Sequence, residues 1–329
     1  MDYSAVKKIL SSKQNIVITT HKSPDGDALG SSLALFYALY SNHNVSIIVP
    51  NNYPDYLKWM PYSDKILIYE ELQVQCDKLI IDSDVIFCLD FNKPYRVDAM
   101  SSIIVNNDSY KIMIDHHEEP DLFCDQMLSD CTISSTAELV YSFLHNLGFI
   151  LNKNIATCLY VGLVTDTGSF KFPNVTSQTH IIVSELMKYN INHSLIHQNL
   201  YDTQSETRLK LLKICLSNLN VYRNFNTALI YLENKDLISL NYKKGDTEGF
   251  VNIPLGLKGI NFSAFFIEFK DGVKISFRSK GLFDVNIFAK KHFNGGGHKN
   301  AAGGFLKNRN MKKAVVYFKK VLLEHMSSR

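Results

Sequence analysis

The sequence predicts an α/β chain of two domains: an N-terminal doubly wound parallel sheet, then a smaller C-terminal α/β domain, joined by a helical connector. Three observations predict it. Over residues 1–188 short β-branched runs alternate with longer helical patterns, as parallel strands covered on both faces by helices require. Over 189–222 the pattern turns helical and polar without strand signals. Over 223–329 strand patterns return, two of them joined by the hairpin dipeptide Asp271-Gly272.

The elements follow in order. The opening residues from Met1 to Lys8 have an amphipathic helical pattern, and Ile16 to Thr20 is the first strand. Apolar residues at helical spacing run from Ala28 to Tyr40, and Asp27 is read as a possible cap for that helix. Strands are expected at Val45 to Val49, Val85 to Leu89 and Ile112 to Ile114, and helices at Ser135 to Leu147 and Ile155 to Val164. Thr165-Asp166-Thr167-Gly168 reads as a helix stop. In the C-terminal part strands are expected at Thr227 to Leu232, Phe262 to Phe269 and Val273 to Arg278. A helix capped by Asp284 follows, and another runs from Met311 to about His325.

Composition narrows the function classes. A chain of 329 residues, 46% hydrophobic and 20% charged, can bury a sizeable core. The formal charge of +3 is too small for a broad nucleic-acid footprint or a membrane-seeking surface. Six cysteines are scattered without a C-x-x-C pair, which suits reduced thiols in a cytoplasm. No apolar stretch approaches the roughly 20 residues of a membrane span, so a soluble, cytoplasmic protein is expected.

Four polar clusters sit at the ends of apolar runs: His21-Lys22-Ser23-Pro24-Asp25-Gly26-Asp27, Asp90, Asp115-His116-His117 and Thr165-Asp166-Thr167-Gly168. In an open parallel sheet, ligands bind beyond the carboxyl ends of the strands, so these clusters are expected along one edge. Each alone has an ordinary reading as a turn, a cap or a hydrogen-bonded histidine. Together Asp25, Asp27, Asp90 and Asp166 bring four carboxylates beside His21 and His116. Carboxylates so close repel and raise one another's pKa, and two divalent cations would cancel them. Two ions about 3.5 to 4 Å apart can activate a water and clamp a phosphoryl group, so the charge count points to phosphoester hydrolysis.

These clusters resemble the motifs of the DHH phosphoesterases, Asp115-His116-His117 being the one that names the family. Ser276-Phe277-Arg278-Ser279 and the run Gly295-Gly296-Gly297-His298-Lys299-Asn300-Ala301-Ala302-Gly303 resemble the signature of the associated DHHA1 substrate domain. The resemblance implies a DHH domain over 1–188 and a DHHA1 domain over 223–329. It implies one metal on His21, Asp25 and Asp90 and a second on Asp27, Asp90, His116 and Asp166, with Asp90 bridging. Asp115 would orient a ligating imidazole, and His117 would face the substrate phosphate as donor or general acid. Arg278, His298 and the glycines Gly295, Gly296 and Gly297 would hold a phosphate or a terminal nucleotide.

Asp90-Phe91-Asn92 departs from the family pattern, which commonly has Ser or Thr at the third position. Downstream, Arg96 is read as a salt-bridge residue in preference to a phosphate contact. Lys258 and Lys299 are weaker substrate candidates, and Phe262, Phe265, Phe266, Phe269 and Phe277 are read mostly as core.

Within the family the chain resembles the small nanoRNases. The expected activity is therefore a manganese-dependent hydrolase, with magnesium or cobalt as alternatives. It would release nucleoside monophosphates from short single-stranded RNA and dephosphorylate 3′-phosphoadenosine 5′-phosphate. A homodimer is allowed for, and no membrane partner is expected. The alternatives are a cyclic or linear dinucleotide phosphodiesterase, inorganic pyrophosphatase, and a catalytically silent nucleotide- or RNA-binding regulator.

Overall fold

A computed structural model describes residues Met1–Ser327 and divides the chain into two compact units, Met1–Thr203 and Gln204–Arg329. In the first unit the elements run α1 (Tyr3–Ile9), β1 (Asn15–Thr20), α2 (Gly26–Leu39), β2 (Asn44–Val49), β3 (Leu67–Ile68), α3 (Tyr69–Ile81), β4 (Val85–Leu89), α4 (Ser101–Val105), β5 (Tyr110–Asp115) and β6 (Gln126–Ser129). Four helices complete it, α5 (Thr136–Leu147), α6 (Lys153–Asp166), α7 (Ser177–Met187) and α8 (His193–Tyr201). The six strands are parallel in the order β3-β2-β1-β4-β5-β6. The order reverses between β1 and β4, where the loops after the two strands diverge and leave a crevice.

Strand alternation explains why both faces are covered. Ile16 and Ile18 of β1, Val85, Phe87 and Leu89 of β4, and Ile112 and Ile114 of β5 bury into a core shared with α2, α5 and α6. The intervening Val17, Ile86, Cys88 and Met113 face the opposite core, with Cys76 and Ile80 of α3 and Ile104 of α4. Every residue of α2 is buried. A Cβ on Gly30 would come within 2.5 Å of the Cys158 carbonyl, and one on Gly162 within 2.8 Å of Asp27 Oδ1. The two glycines thus let α2 and α6 pack backbone to backbone beside the site.

The second unit contains α9 (Glu206–Ser217), β7 (Asn220–Tyr222), β8 (Thr227–Leu232), α10 (Asn234–Ser239), β9 (Phe262–Phe269), β10 (Gly272–Ser279), α11 (Val285–His292), β11 (Gly296–His298), β12 (Ala301–Lys307) and α12 (Met311–Ser327). Its sheet has the order β11-β12-β10-β9-β8-β7, with β8 and β9 parallel and the other pairs antiparallel. Phe262, Phe266 and Phe277 pack with Phe288 and Phe293 on one face, and Phe265 lies in the core of the other face with half-buried Phe269 against it.

Three details differ from the sequence reading. The cap of α2 is Asp25, not Asp27: Asp25 is extended and its Oδ1 accepts from the amides of Asp27 and Ala28. Asp27 thereby becomes a helical residue that points inward. The glycine run forms the edge strand β11, paired with β12. The short strands β3, β6, β7 and β11 carry too few residues for a periodic pattern. Within the stretch 189–222, α8 buries Ile196 and Leu200 in the first unit and α9 buries Leu211 and Cys215 in the second. Among the described residues, no helix is long and apolar enough to cross a membrane.

Candidate metal centre

Four segments of the first unit bring their polar residues to the carboxyl edge of the sheet. Asp90 is the hub. It follows β4 with φ at 60°, a left-handed conformation uncommon for a side-chain-bearing residue, while its amide still bonds the Ile114 carbonyl of the neighbouring strand. Its Oδ2 lies 3.3 Å from His21 Nε2 and its Oδ1 3.6 Å from His116 Nε2. The two carboxylate oxygens thus address different imidazoles.

Around this hub two groups of ligand-type atoms cluster within 4.8 Å of one another: His21, Asp25 and Asp90, and Asp27, His116 and Asp166. Asp25 serves twice, since Oδ1 caps α2 and Oδ2 lies 3.9 Å from His21 Nε2. Asp166, the last residue of α6, places Oδ2 3.5 Å from His116 Nε2. A third combination joins Asp90, His116 and His117. In it His117 Nδ1 already lies 2.7 Å from Asp115 Oδ1.

The donor set fits divalent cations. His21 Nδ1 lies 3.0 Å from the Lys22 carbonyl and His116 Nδ1 3.4 Å from the Ile133 carbonyl. A carbonyl only accepts, so Nδ1 carries the proton in each ring and the Nε2 lone pair turns toward carboxylates. Lone pair against carboxylate is repulsive unless a proton or a metal ion lies between. Separations of 3.5 to 3.9 Å exceed a good hydrogen bond and suit two ligands of one ion.

The electrostatics of the metal-free centre express the same conflict. Burial opposes protonation of His21, but the bond to Asp90 and the charges of Asp25 and Asp90 outweigh it and lift its pKa to about 9. His116 is raised as well, burial being overcome by Asp90, Asp27 and Asp115. Burial and then the Asp90 and Asp166 charges push Asp27 well above the carboxylate range. Asp166 is pushed up by burial and then by Asp25 and Asp90. Asp90 alone goes down, because its contacts with the histidines overcome the burial that would raise it.

Asp115 bonds a different histidine from the expected one. Its Oδ1 lies 2.7 Å from His117 Nδ1 and its Oδ2 accepts the His117 amide at 2.8 Å, so it fixes His117 and not the ligand-type His116. The reason is local: the chain turns after β5, and the Asp115 side chain closes that turn. Asn92 donates to the Glu118 carbonyl at 2.6 Å, tying the loop after β4 to the loop after Asp115-His116-His117. Arg96 has no carboxylate within ion-pair distance among the described residues, and the salt bridge expected of it is absent. Its backbone carbonyl accepts the Lys22 amide at 2.7 Å.

Sequence reasoning missed Thr136. Its amide donates to Asp27 Oδ2 at 2.6 Å, its hydroxyl donates to Asp90 Oδ1 at 2.8 Å, and the next amide, of Ala137, donates to Asp27 Oδ1 at 2.9 Å. The N-terminus of α5 thereby supports two adjacent carboxylates, as the positive end of a helix does. The available signal was the run Ser134-Ser135-Thr136, two hydroxyls more than a cap needs, since Ser135 alone is the N-cap.

The second unit gathers its own candidates. Ala301 of β12 pairs with Arg278 on one side and His298 on the other. Directly paired residues project from the same face, so Arg278 and His298 share a row about 10 Å across, two strand spacings. Burial lowers the pKa of Arg278, and the Glu248 charge opposes that shift. The glycines differ among themselves. A Cβ on Gly295 would lie 1.9 Å from the Gly303 carbonyl, and Gly297 has φ at 151° with the Ala301 carbonyl 2.4 Å from its would-be Cβ. Gly296 meets nothing closer than 3.5 Å. Of the three, it is the one whose missing side chain serves no packing need. Lys258 and Lys299 are exposed.

Comparison with known proteins finds matches to both units. A model of the DHH family, N-terminal domain, matches residues 15–163, and a model of the DHHA1 domain matches residues 226–324. A Streptococcus mutans protein named probable bifunctional oligoribonuclease and PAP phosphatase NrnA is 31% identical over 290 residues, 88% of each chain. Its Bacillus subtilis counterpart, named bifunctional oligoribonuclease and PAP phosphatase NrnA, is 27% identical over 302 residues, 90% of each chain. The crystal structure of an exopolyphosphatase-related protein from Bacteroides fragilis superposes with a TM-score of 0.95 at 44% identity, covering 98% of this chain and 96% of that one.

Proposed function

The chain belongs to the DHH family and is a hydrolase of phosphoric esters, and on that premise we propose that it releases nucleoside monophosphates from short single-stranded oligoribonucleotides and also removes the 3′-phosphate of 3′-phosphoadenosine 5′-phosphate. One observation carries the chemistry: Asp90 turns one oxygen to His21 and the other to His116, joining two ligand triads through a single carboxylate. The names of the relatives carry the substrates.

In this reading His21, Asp25 and Asp90 hold one divalent ion, and Asp27, Asp90, His116 and Asp166 hold the other. Such a pair, manganese in our reading, supplies an activated water and neutralises charge on the phosphoryl oxygens. The protein does the positioning. Asp115 fixes His117 through both the ring and the amide, so the imidazole is held ready to meet a phosphate oxygen or to give the leaving oxygen its proton. In the second unit Arg278 and His298, on one row of the sheet, grip a phosphate or terminal nucleotide.

The test compares an RNA dinucleotide, 3′-phosphoadenosine 5′-phosphate and a cyclic dinucleotide, each with manganese, magnesium or chelator. Turnover of the first two in manganese, lost with chelator, is expected. Turnover of the cyclic substrate alone would replace this reading with a cyclic-dinucleotide phosphodiesterase.

A further inference from the structure

Three cations flank the loop that follows β4: Lys22, Lys93 and Arg96. Two are paired. Lys22 Nζ lies 2.5 Å from Asp98 Oδ2, and Lys93 Nζ 3.7 Å from Glu119 Oε2. Arg96 is half-buried, and none of the described carboxylates comes within ion-pair distance of it. Asp98, two residues along the chain, is the nearest carboxylate in sequence, and Lys22 takes it. A partly desolvated guanidinium without an anion is costly, and its five donors suit a planar or tetrahedral oxyanion.

Its position is fixed relative to the metal ligands. The Arg96 amide donates to the Lys93 carbonyl at 3.0 Å, and its carbonyl accepts from Lys22, the residue after His21, at 2.7 Å. Pro94 opens the same turn, and Asn92, two residues before it, ties that end to the loop after His117. Charge balance points the same way. Four carboxylates and two divalent ions sum to zero, which leaves no net attraction for an anionic substrate. Arg96 supplies one positive charge at the edge of the centre.

We infer that Arg96 is a phosphate-binding residue of the first unit, forming charge-assisted hydrogen bonds to a non-bridging oxygen of the substrate's phosphate. The inference rests on the phosphoesterase reading of the centre, and it adds a contact separate from the metal ligands and from Arg278 and His298. Its ligand class is a phosphate mono- or diester.

The full chain, wild type and with Arg96→Gln or Arg96→Lys, is titrated calorimetrically with manganese alone and then, manganese-saturated, with inorganic phosphate. Losing a charge-assisted bond weakens phosphate binding by about 10- to 100-fold in R96Q. In R96K, which keeps the charge without the fork, the loss is smaller. KM for 3′-phosphoadenosine 5′-phosphate rises in parallel. A change in phosphate affinity of less than about threefold in R96Q overturns the inference, whatever happens to manganese binding. Should R96Q fail to fold by circular dichroism, R96K decides by the same criterion against wild type. If wild type hydrolyses none of the esters tested, the functional reading falls, while the phosphate titration still decides the role of Arg96.

Discussion

The Thr136 hydroxyl donates to Asp90 Oδ1 at 2.8 Å while the Thr136 amide donates to Asp27 Oδ2 at 2.6 Å, so one residue at the start of α5 holds two carboxylates from different segments, one after β4 and one in α2. The hydroxyl restrains Asp90 through the oxygen that also faces His116. Partners that orient metal ligands typically contribute 10- to 100-fold to metal affinity. Thr136→Val keeps shape and amide but removes this donor, and manganese affinity should fall by about 10-fold. Thr136→Ser should stay near wild type. Calorimetric titration of the metal-free protein reads both, and equal affinity in the valine variant would show that the hydroxyl does not position Asp90.

Asp90 and Asp166 should respond to neutralisation in different ways. Asp90→Asn suits the left-handed backbone, which Asn tolerates, and removes the shared ligand charge. Turnover should drop by more than about 100-fold with the fold intact by circular dichroism, beyond the range ascribed to orienting partners. The pKa of Asp166 is raised, by burial and then by Asp25 and Asp90, so the metal-free fold loses stability as pH climbs from the ordinary carboxylate value toward the raised one. Asp166→Asn should therefore raise the melting temperature in chelator at neutral pH while weakening manganese binding. A lower melting temperature in chelator would contradict the repulsion account.

Manganese binding should release protons. His21, with a pKa lifted to about 9, holds a proton at neutral pH in the metal-free centre that an ion must displace, and the upward shifts of His116, Asp27 and Asp166 act in the same direction. The sign follows: affinity rises with pH up to about 9 and falls below it. Titrations at one pH in two buffers of different ionisation enthalpy give the proton count directly. A count of zero at neutral pH would show that His21 is already deprotonated in the metal-free protein.

The glycines of β11 separate packing from binding. Gly295→Ala drives a Cβ to 1.9 Å from the Gly303 carbonyl and should cost about 1–3 kcal/mol of stability. Gly296→Ala meets only ordinary contacts and should cost no more than about 0.5 kcal/mol. If the ligand approaches the Gly296 backbone, that variant loses substrate affinity with its melting temperature unchanged. Unaltered KM in Gly296→Ala would remove this glycine from the substrate site.

The sequence by itself determined the alternation of strands and helices and the segments that end at the site, because both are local. Apolar period and turn chemistry set Asn15–Thr20, Val85–Leu89 and Tyr110–Asp115, and polar residues must follow where a buried strand meets solvent. Its count of four carboxylates and two imidazoles also anticipated the charge conflict. Tertiary structure decided the pairings. That Thr136 supports two carboxylates and that Arg96 lacks an ion pair depend on side chains from distant segments meeting at a few ångströms, whereas which aspartate caps α2 and which histidine Asp115 fixes are choices between near neighbours that spacing alone leaves open. Sequence spacing does not encode those distances. The parallel order β3-β2-β1-β4-β5-β6, reversing beside His21 and Asp90, does.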